Sequence, residues 1–347
     1  MRPRTRGNAA AFTLVEMLVA AAILLTLLGF LLSLTDQTTR IWSGTASKVE
    51  QFREARTGFE RVTSRLSQAT LNTYWDYNSP TAPTRYERRS ELRFIAASAK
   101  TLLGGTGNVA RVTHAVFFNA PMGIAGAAND RGLANALNTL GYFVELNDDT
   151  AQRPPFITTD MVPPRWRFRL MEFAQPTENF SLYQFTSGNP NIITTQWFAT
   201  DVNTANMVAA MQRVIAENVI ALIITPRLSK TEEKPLQTNA THSPLAPFYS
   251  YDSTGTNADP RLNPKNQLPP VVQFTMIAID DKSADKLDLD ATKADVFSVS
   301  KLFQDTQKFD ADLATLETTL TQNKVRYRIF TTNVHIRAAK WSREQTD

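Results

Sequence analysis

Residues Phe12 to Leu34, FTLVEMLVAAAILLTLLGFLLSL, form an apolar run of 23 residues with one charge, Glu16. As a helix rising about 1.5 Å per residue it is roughly 34 Å long, enough to cross a bilayer core with some tilt. No proline interrupts it. Arg2, Arg4 and Arg6 precede it, and Asp36 and Arg40 follow. That bias of positive charge places the short N-terminus in the cytoplasm and the rest of the chain on the far side. A cleaved signal peptide has a shorter apolar core, about 7–15 residues, followed by a small-x-small site. Here Ser33-Leu34-Thr35-Asp36-Gln37 is a poor site. An uncleaved anchor explains the run but leaves Glu16 an accident, apart from snorkelling to the headgroups. A carboxylate in an apolar span is costly and ordinarily has a partner.

The apolar character does not stop at the membrane-length run. Phe52, Ala55, Phe59, Val62, Leu66 and Ala69 recur at spacings of three and four, a helical stripe. Lys48, Glu50, Arg53, Glu54, Arg56, Glu60, Arg61 and Arg65 take the other faces, and no proline occurs from Arg4 to Ser79. Gly44 and Gly58 weaken this run without breaking it. The pattern predicts one helix from about 12 to 71, roughly 90 Å long. Six stripe positions are too few for a sustained coiled coil, so its second half is expected to pack on a sheet.

The remainder reads as mostly β. Strand-like runs lie at Glu91–Ala97, Val112–Asn119, Tyr142–Leu146, Arg165–Phe173, Val219–Arg227, Val271–Asp280 and Val325–Ile336. Arg165–Phe173 alternates basic and apolar residues, which predicts a half-buried antiparallel strand. Helices are expected at Ala205–Glu217 and at Asp310–Asn323, the latter with Leu313, Leu316 and Leu320 on one face. Stretches 76–85, 186–194 and 235–269, rich in Pro, Gly, Asn and Thr, read as surface loops, the last long enough to be mobile. The fold class is therefore α+β, with inserted helices and long loops.

Composition excludes several kinds of chemistry. The chain has no cysteine, hence no disulfide, thiolate metal site or cysteine nucleophile. His114, His242 and His335 are far apart, outside any metal-ligand spacing, and read as packing or surface residues. The net charge of +4 falls to +1 once the three leading arginines are set aside, which makes no strong case for nucleic acid. Gly105-Thr106-Gly107-Asn108-Val109-Ala110 fits a loose G-x-G-x-x-A, but a strand-like run follows it where a dinucleotide site needs a helix, so a hairpin turn is expected. Asp280, Asp281, Asp285, Asp288, Asp290 and Asp295 cluster, yet Lys293 holds the glycine position of a calcium loop and Val299 its bidentate position; helix caps and a solvated loop are expected. The aromatic cluster Tyr74-Trp75-Asp76-Tyr77 has two readings, a binding patch or a cap on the core where the long helix ends, and the cap is expected. No metal, cofactor or catalytic signature emerges.

One resemblance adds to this reading. Ala11-Phe12-Thr13-Leu14-Val15-Glu16-Met17-Leu18-Val19-Ala20 closely resembles the processing signal of type IV pilins and type II secretion pseudopilins. It has a short basic leader, a small residue, Phe, Glu four residues on, and an unbroken apolar helix. The resemblance implies cleavage by a prepilin peptidase between Ala11 and Phe12 and methylation of the Phe12 amine; this chain has Ala11 where glycine is usual. Glu16 would then lie at i+4 from a cationic amine, a counter-charge for it within one subunit or between neighbours. The segments Phe52–Arg56, Ser67–Tyr77, Pro163–Phe173 and Ala338–Ser342 are similar to the Verru_Chthon cassette protein C family, and the general shape to the J-type minor pseudopilin.

The implied architecture is a pilin-like lollipop: leader 1–11, transmembrane segment 12–34, amphipathic continuation 35–75 and a β-rich periplasmic domain 76–347. The implied role is a minor subunit of a short periplasmic filament, with no enzymatic activity. It would work with the prepilin peptidase, other pilin-like subunits, an inner-membrane assembly platform and the lipid bilayer of the inner membrane. An uncleaved signal-anchored binding or sensory protein is the alternative, and an anchored periplasmic enzyme a further one.

Overall fold

The computed structural model describes residues 14–50, 52–79, 81–104, 110–126, 133, 135–150, 153–154, 156–180, 197–203, 211–290, 292–293 and 295–343. The chain divides into two compact units at Gln51/Phe52. The first holds helix α1, Leu14–Glu50. The second opens with helix α2, Arg53–Leu66. Where the stripe predicts one helix to about residue 71, there are two, and α2 ends at Leu66. Beyond it Thr70 N–H already donates to the Asn119 carbonyl at 2.8 Å, a bridge to a strand.

Among the described residues, eleven strands follow: β1 Tyr74–Tyr77, β2 Tyr86–Arg89, β3 Ile95–Ser98, β4 Ala110–Pro121, β5 Leu137–Asn147, β6 Arg167–Gln175, β7 Gln212–Glu217, β8 Val219–Arg227, β9 Tyr251–Asp252, β10 Val271–Ile279 and β11 Tyr327–His335. They form an antiparallel sheet in the order β7-β6-β5-β4-β3-β9, a second antiparallel sheet in the order β11-β10-β8, and the hairpin β1-β2. The expected α+β class is what forms. The helix Phe309–Gln322 coincides with the Leu313/Leu316/Leu320 pattern and buries Leu316 and Leu320.

The residues read as a helix at Ala205–Glu217 are corrected. Gln212–Glu217 is strand β7, paired with β6, and 204–210 lie outside the described residues. Ala, Met and Gln favour a helix locally, but Val214 and Ile215 fit the pleat, and pairing outweighs propensity. Asn218 alone separates β7 from β8. At φ 60° it turns the chain from one sheet into the other, a conformation Asn tolerates better than most residues.

The sheets are joined by side chains of a bulge in β4. The β4–β5 register shifts between Val112 and Val116, with Thr113 at φ 59°. The Leu222 N–H donates to Thr113 Oγ1 at 2.9 Å, and the Ile224 N–H to His114 Nδ1 at 3.2 Å. Two backbone donors on β8, the edge of its sheet, are thereby satisfied without a strand partner. With Nδ1 accepting, Nε2 carries the proton and donates to the Phe303 carbonyl at 3.1 Å. Both neutral-imidazole valences are used, as suits the packing role expected of His114.

Burial pushes the His114 pKa from 6.5 down to about 4. Below pH 6.5 the unfolded chain takes up a proton that the folded chain refuses. Stability is therefore full above pH 6.5 and falls as pH drops towards 4, by roughly 3 kcal/mol. Urea midpoints measured from pH 7 to pH 4 should show this slope in the natural chain and lose it in His114→Gln.

Other expectations change on the same ground, two-sided burial. β6 is not half-exposed: every residue from Arg167 to Gln175 is buried. Its arginines are paired. Arg169 donates to Glu217 at 3.1 Å and to the Asp148 carbonyl at 2.6 Å, and Arg167 pairs with Asp285. The aspartate cluster thus acts partly as ion-pair partner, and Asp280 caps the helix Asp281–Lys286 by accepting from Ser283 N–H at 3.0 Å. Among the described residues no three His, Asp or Glu side chains converge as metal ligands. Stretch 235–269 is not loose. It carries β9, buries Tyr249 and Tyr251, and is tied by Ser243 Oγ to the Pro226 carbonyl (2.6 Å) and by the Tyr251 hydroxyl to the Gln267 carbonyl (2.8 Å). The G-x-G residues 105–109, expected to form a hairpin turn, lie outside the described residues; the short helix Ala99–Leu103 precedes them and β4 follows.

Candidate functional site: the N-terminal helix and the seat of the second helix

From Leu14 to Thr35, α1 is exposed on every face, including Leu18, Leu25, Phe30 and Leu32. A helix apolar all round belongs in a core or in lipid, and none of this span is buried. At 22 residues it is about 33 Å long, membrane length. The hydroxyls inside it are satisfied locally: Thr26 donates to Ile23 O at 2.8 Å and Thr35 to Leu31 O at 2.8 Å. Such back-bonding satisfies these two threonine hydroxyls without water at apolar depth.

Glu16 occupies the first turn of α1, where the positive end of the helix dipole favours a carboxylate. Ala11 and Phe12, the expected processing pair, lie outside the described residues, as does the rest of the leader.

The second unit uses α2 as a wedge between its sheets. Ala55, Val62 and Leu66 are buried, and the Phe59 ring meets Phe274 of β10 at 5.5 Å and Phe330 of β11 at 5.6 Å. Gly58 sets the approach: a Cβ there would lie 3.2 Å from Ala216 Cβ and 3.4 Å from the Ile215 carbonyl. The glycine that reads as a weak point in the helix is what lets α2 lie close against β7.

Beside that contact lies Glu172 of β6, fully buried. Arg61 donates to it through Nε at 2.8 Å and Nη2 at 3.1 Å, Arg65 at 2.7 Å and Arg213 of β7 at 2.5 Å. The Tyr142 hydroxyl adds a bond of 2.9 Å. Burial pushes the Glu172 carboxyl up, but Arg61, Arg65 and Arg213 outweigh it and hold it below its ordinary value. Burial also pushes the Tyr142 hydroxyl up, and the Glu172 charge adds to that. Arg61 and Arg65, spaced i,i+4 on one face, were expected to face solvent with the other charges. Instead they turn inward and lock α2 to the sheet. The sequence signal for this site is a single acid, Glu172, within the otherwise basic and apolar run Arg165–Phe173.

The Tyr74–Tyr77 cluster does not cap the core. It is strand β1, exposed throughout, with Trp75 59% and Tyr77 45% accessible. Of the other histidines, His242 is buried and His335 is exposed on β11.

A family profile described as the prokaryotic N-terminal methylation motif matches residues 6–32, which supports a type IV pilin-like protein. No curated protein matches the chain, and no solved structure does.

Proposed function

We propose that the chain is a minor pilin-like subunit of the pseudopilin kind, assembled through its N-terminal helix into a short periplasmic filament of a secretion- or pilus-type machine. One coincidence carries this reading. The methylation motif at 6–32 overlies a membrane-length helix, exposed from Leu14 to Thr35, whose one acidic residue sits in its first turn.

A prepilin peptidase cuts between Ala11 and Phe12 and methylates the new amine of Phe12. In an apolar setting that cation needs a counter-charge, and Glu16 supplies it. While the subunit stands alone in the bilayer, the pair closes within one helix. In the filament, Glu16 meets the amine of the neighbour, and the penalty for leaving either charge unpaired sets the axial register. α1 anchors the subunit in the inner membrane with its β-rich unit in the periplasm, among other pilin-like subunits and the assembly platform. The role is structural rather than enzymatic. The finer kinship with the Verru_Chthon cassette protein C family rests on the four segments quoted above.

Mass spectrometry of the N-terminal peptide of membrane-extracted protein tests the processing step. The expected peptide begins at N-methylated Phe12. An intact peptide carrying Arg2–Ala11 would sink the proposal and leave an uncleaved anchor. Glu16→Leu should still insert in the membrane but vanish from the sheared filament fraction. Normal filament incorporation of that variant would show that Glu16 does not set register.

A further inference from the structure

The hairpin β1-β2 carries an aromatic face that the filament role does not use. Its register pairs Trp75 with Arg88 and Tyr77 with Tyr86, so these four side chains share one side, while Asp76 and Glu87 take the other. Tyr77 and Tyr86 stack at 4.6 Å with their hydroxyls 2.9 Å apart, and the Arg88 guanidinium lies over the Trp75 ring at 5.6 Å. Trp75 and Tyr86 are nonetheless 59% and 61% exposed. An isolated two-stranded hairpin is marginal, but this one is anchored. Arg88 donates to Gln267 Oε1 at 2.9 Å and to the Lys340 carbonyl at 3.0 Å, and Asn266 Nδ2 donates to the Arg88 carbonyl at 2.7 Å. The rings are therefore held rigidly in the open.

Arg88 also connects this face to a groove. A concavity of about 350 Å³ is lined by Arg88, Lys340 and Asn266, and shares Thr70, Asn72 and Ala338 with a second of about 570 Å³ lined by Gln68, Asn135 and Arg337. Both volumes fall in the range of small-ligand pockets, roughly 300–1,000 Å³. Among the described residues the groove lining holds three cations, several amides and hydroxyls, and no carboxylate.

We propose that this groove and the Trp75–Tyr86 face together bind an acidic oligosaccharide. Sugar rings present flat C–H faces to exposed aromatic rings. Their hydroxyls match amide and hydroxyl side chains, which both donate and accept, and their carboxylates match Arg337 and Lys340. Single-stranded nucleic acid also stacks on aromatic platforms, but it calls for a basic track along its backbone. Here uncharged polar groups outnumber the cations.

Calorimetry on the full-length chain in lipid nanodiscs, titrated with an octameric oligogalacturonate, tests this. Binding is expected, and Trp75→Ala and Tyr86→Ala, both at exposed positions, should each weaken it about tenfold or more. Arg337→Ala should reduce the preference over neutral maltooctaose. No heat at millimolar oligogalacturonate would overturn the proposal. So would equal affinity for maltooctaose, tighter binding of a twelve-residue oligothymidylate, or unchanged affinity in both aromatic variants. Unfolding temperatures of the variants, expected to match the natural chain, separate lost binding from lost fold.

Discussion

Glu172→Ala is expected to destabilise the β-rich unit by about 3–5 kcal/mol, as removing one partner of a buried ionic cluster does. Three guanidinium groups converge on this carboxylate from two elements, and it has no exposure of its own. Without it, Arg61, Arg65 and Arg213 are left as like charges with no counter-ion between them, and the Tyr142 hydroxyl loses its acceptor. Glu172→Gln keeps the volume and an acceptor but loses the charge, so its cost should be smaller. Urea unfolding of both variants checks the order. The same group sets an acid limit. Its folded pKa lies below the ordinary 4.5, so its contribution is complete above about pH 4.5 and is lost as pH falls through the lower folded value. That window begins where the His114 slope is ending, and Glu172→Gln should flatten only the more acidic part of the curve.

Gly141→Ala should cost about 3 kcal/mol, the upper end for overpacking a core, although it adds one methyl group. Gly141 of β5 is paired directly with Phe117 of β4, and a Cβ there would lie 2.2 Å from the Phe117 ring. The ring has nowhere to go. It stacks on Phe198 at 3.6 Å, and Phe143 and Phe173 lie with their ring centres 6.3 Å away. Overpacking of this kind forces side chains off their rotamers or shifts the strand. Phe117→Leu combined with Gly141→Ala should recover part of the loss, because the two sites share one space. A double-mutant cycle with a coupling energy near zero would refute the contact.

The strands were legible wherever apolar and β-branched residues ran together, as at β8, β10 and β11, because burial on a pleated face selects those residues locally. The helix Phe309–Gln322 was legible for the corresponding reason, a leucine face at helical spacing. β7 was not. Its residues favour a helix by propensity, and only the ladder with β6 makes them a strand. The arginines of β6 and α2 misled in the same way. A basic residue alternating with apolar ones reads as solvent-facing, and nothing nearby in the chain reveals that an acid waits on another element. The aromatic cluster of β1 can be read as a binding patch or as a core cap, and the cap is favoured because aromatic residues are ordinarily buried; its pairing with β2 leaves it exposed.

The division follows the range of the forces involved. A 22-residue apolar helix satisfies its own backbone and needs only a solvent that accepts its surface, so Leu14–Thr35 and Glu16 in its first turn could be read from consecutive residues. The seat of α2 could not. Arg61 and Glu172 are 111 positions apart, and the carboxylate becomes a partner rather than a penalty only when β6, β7 and α2 close around it and exclude water.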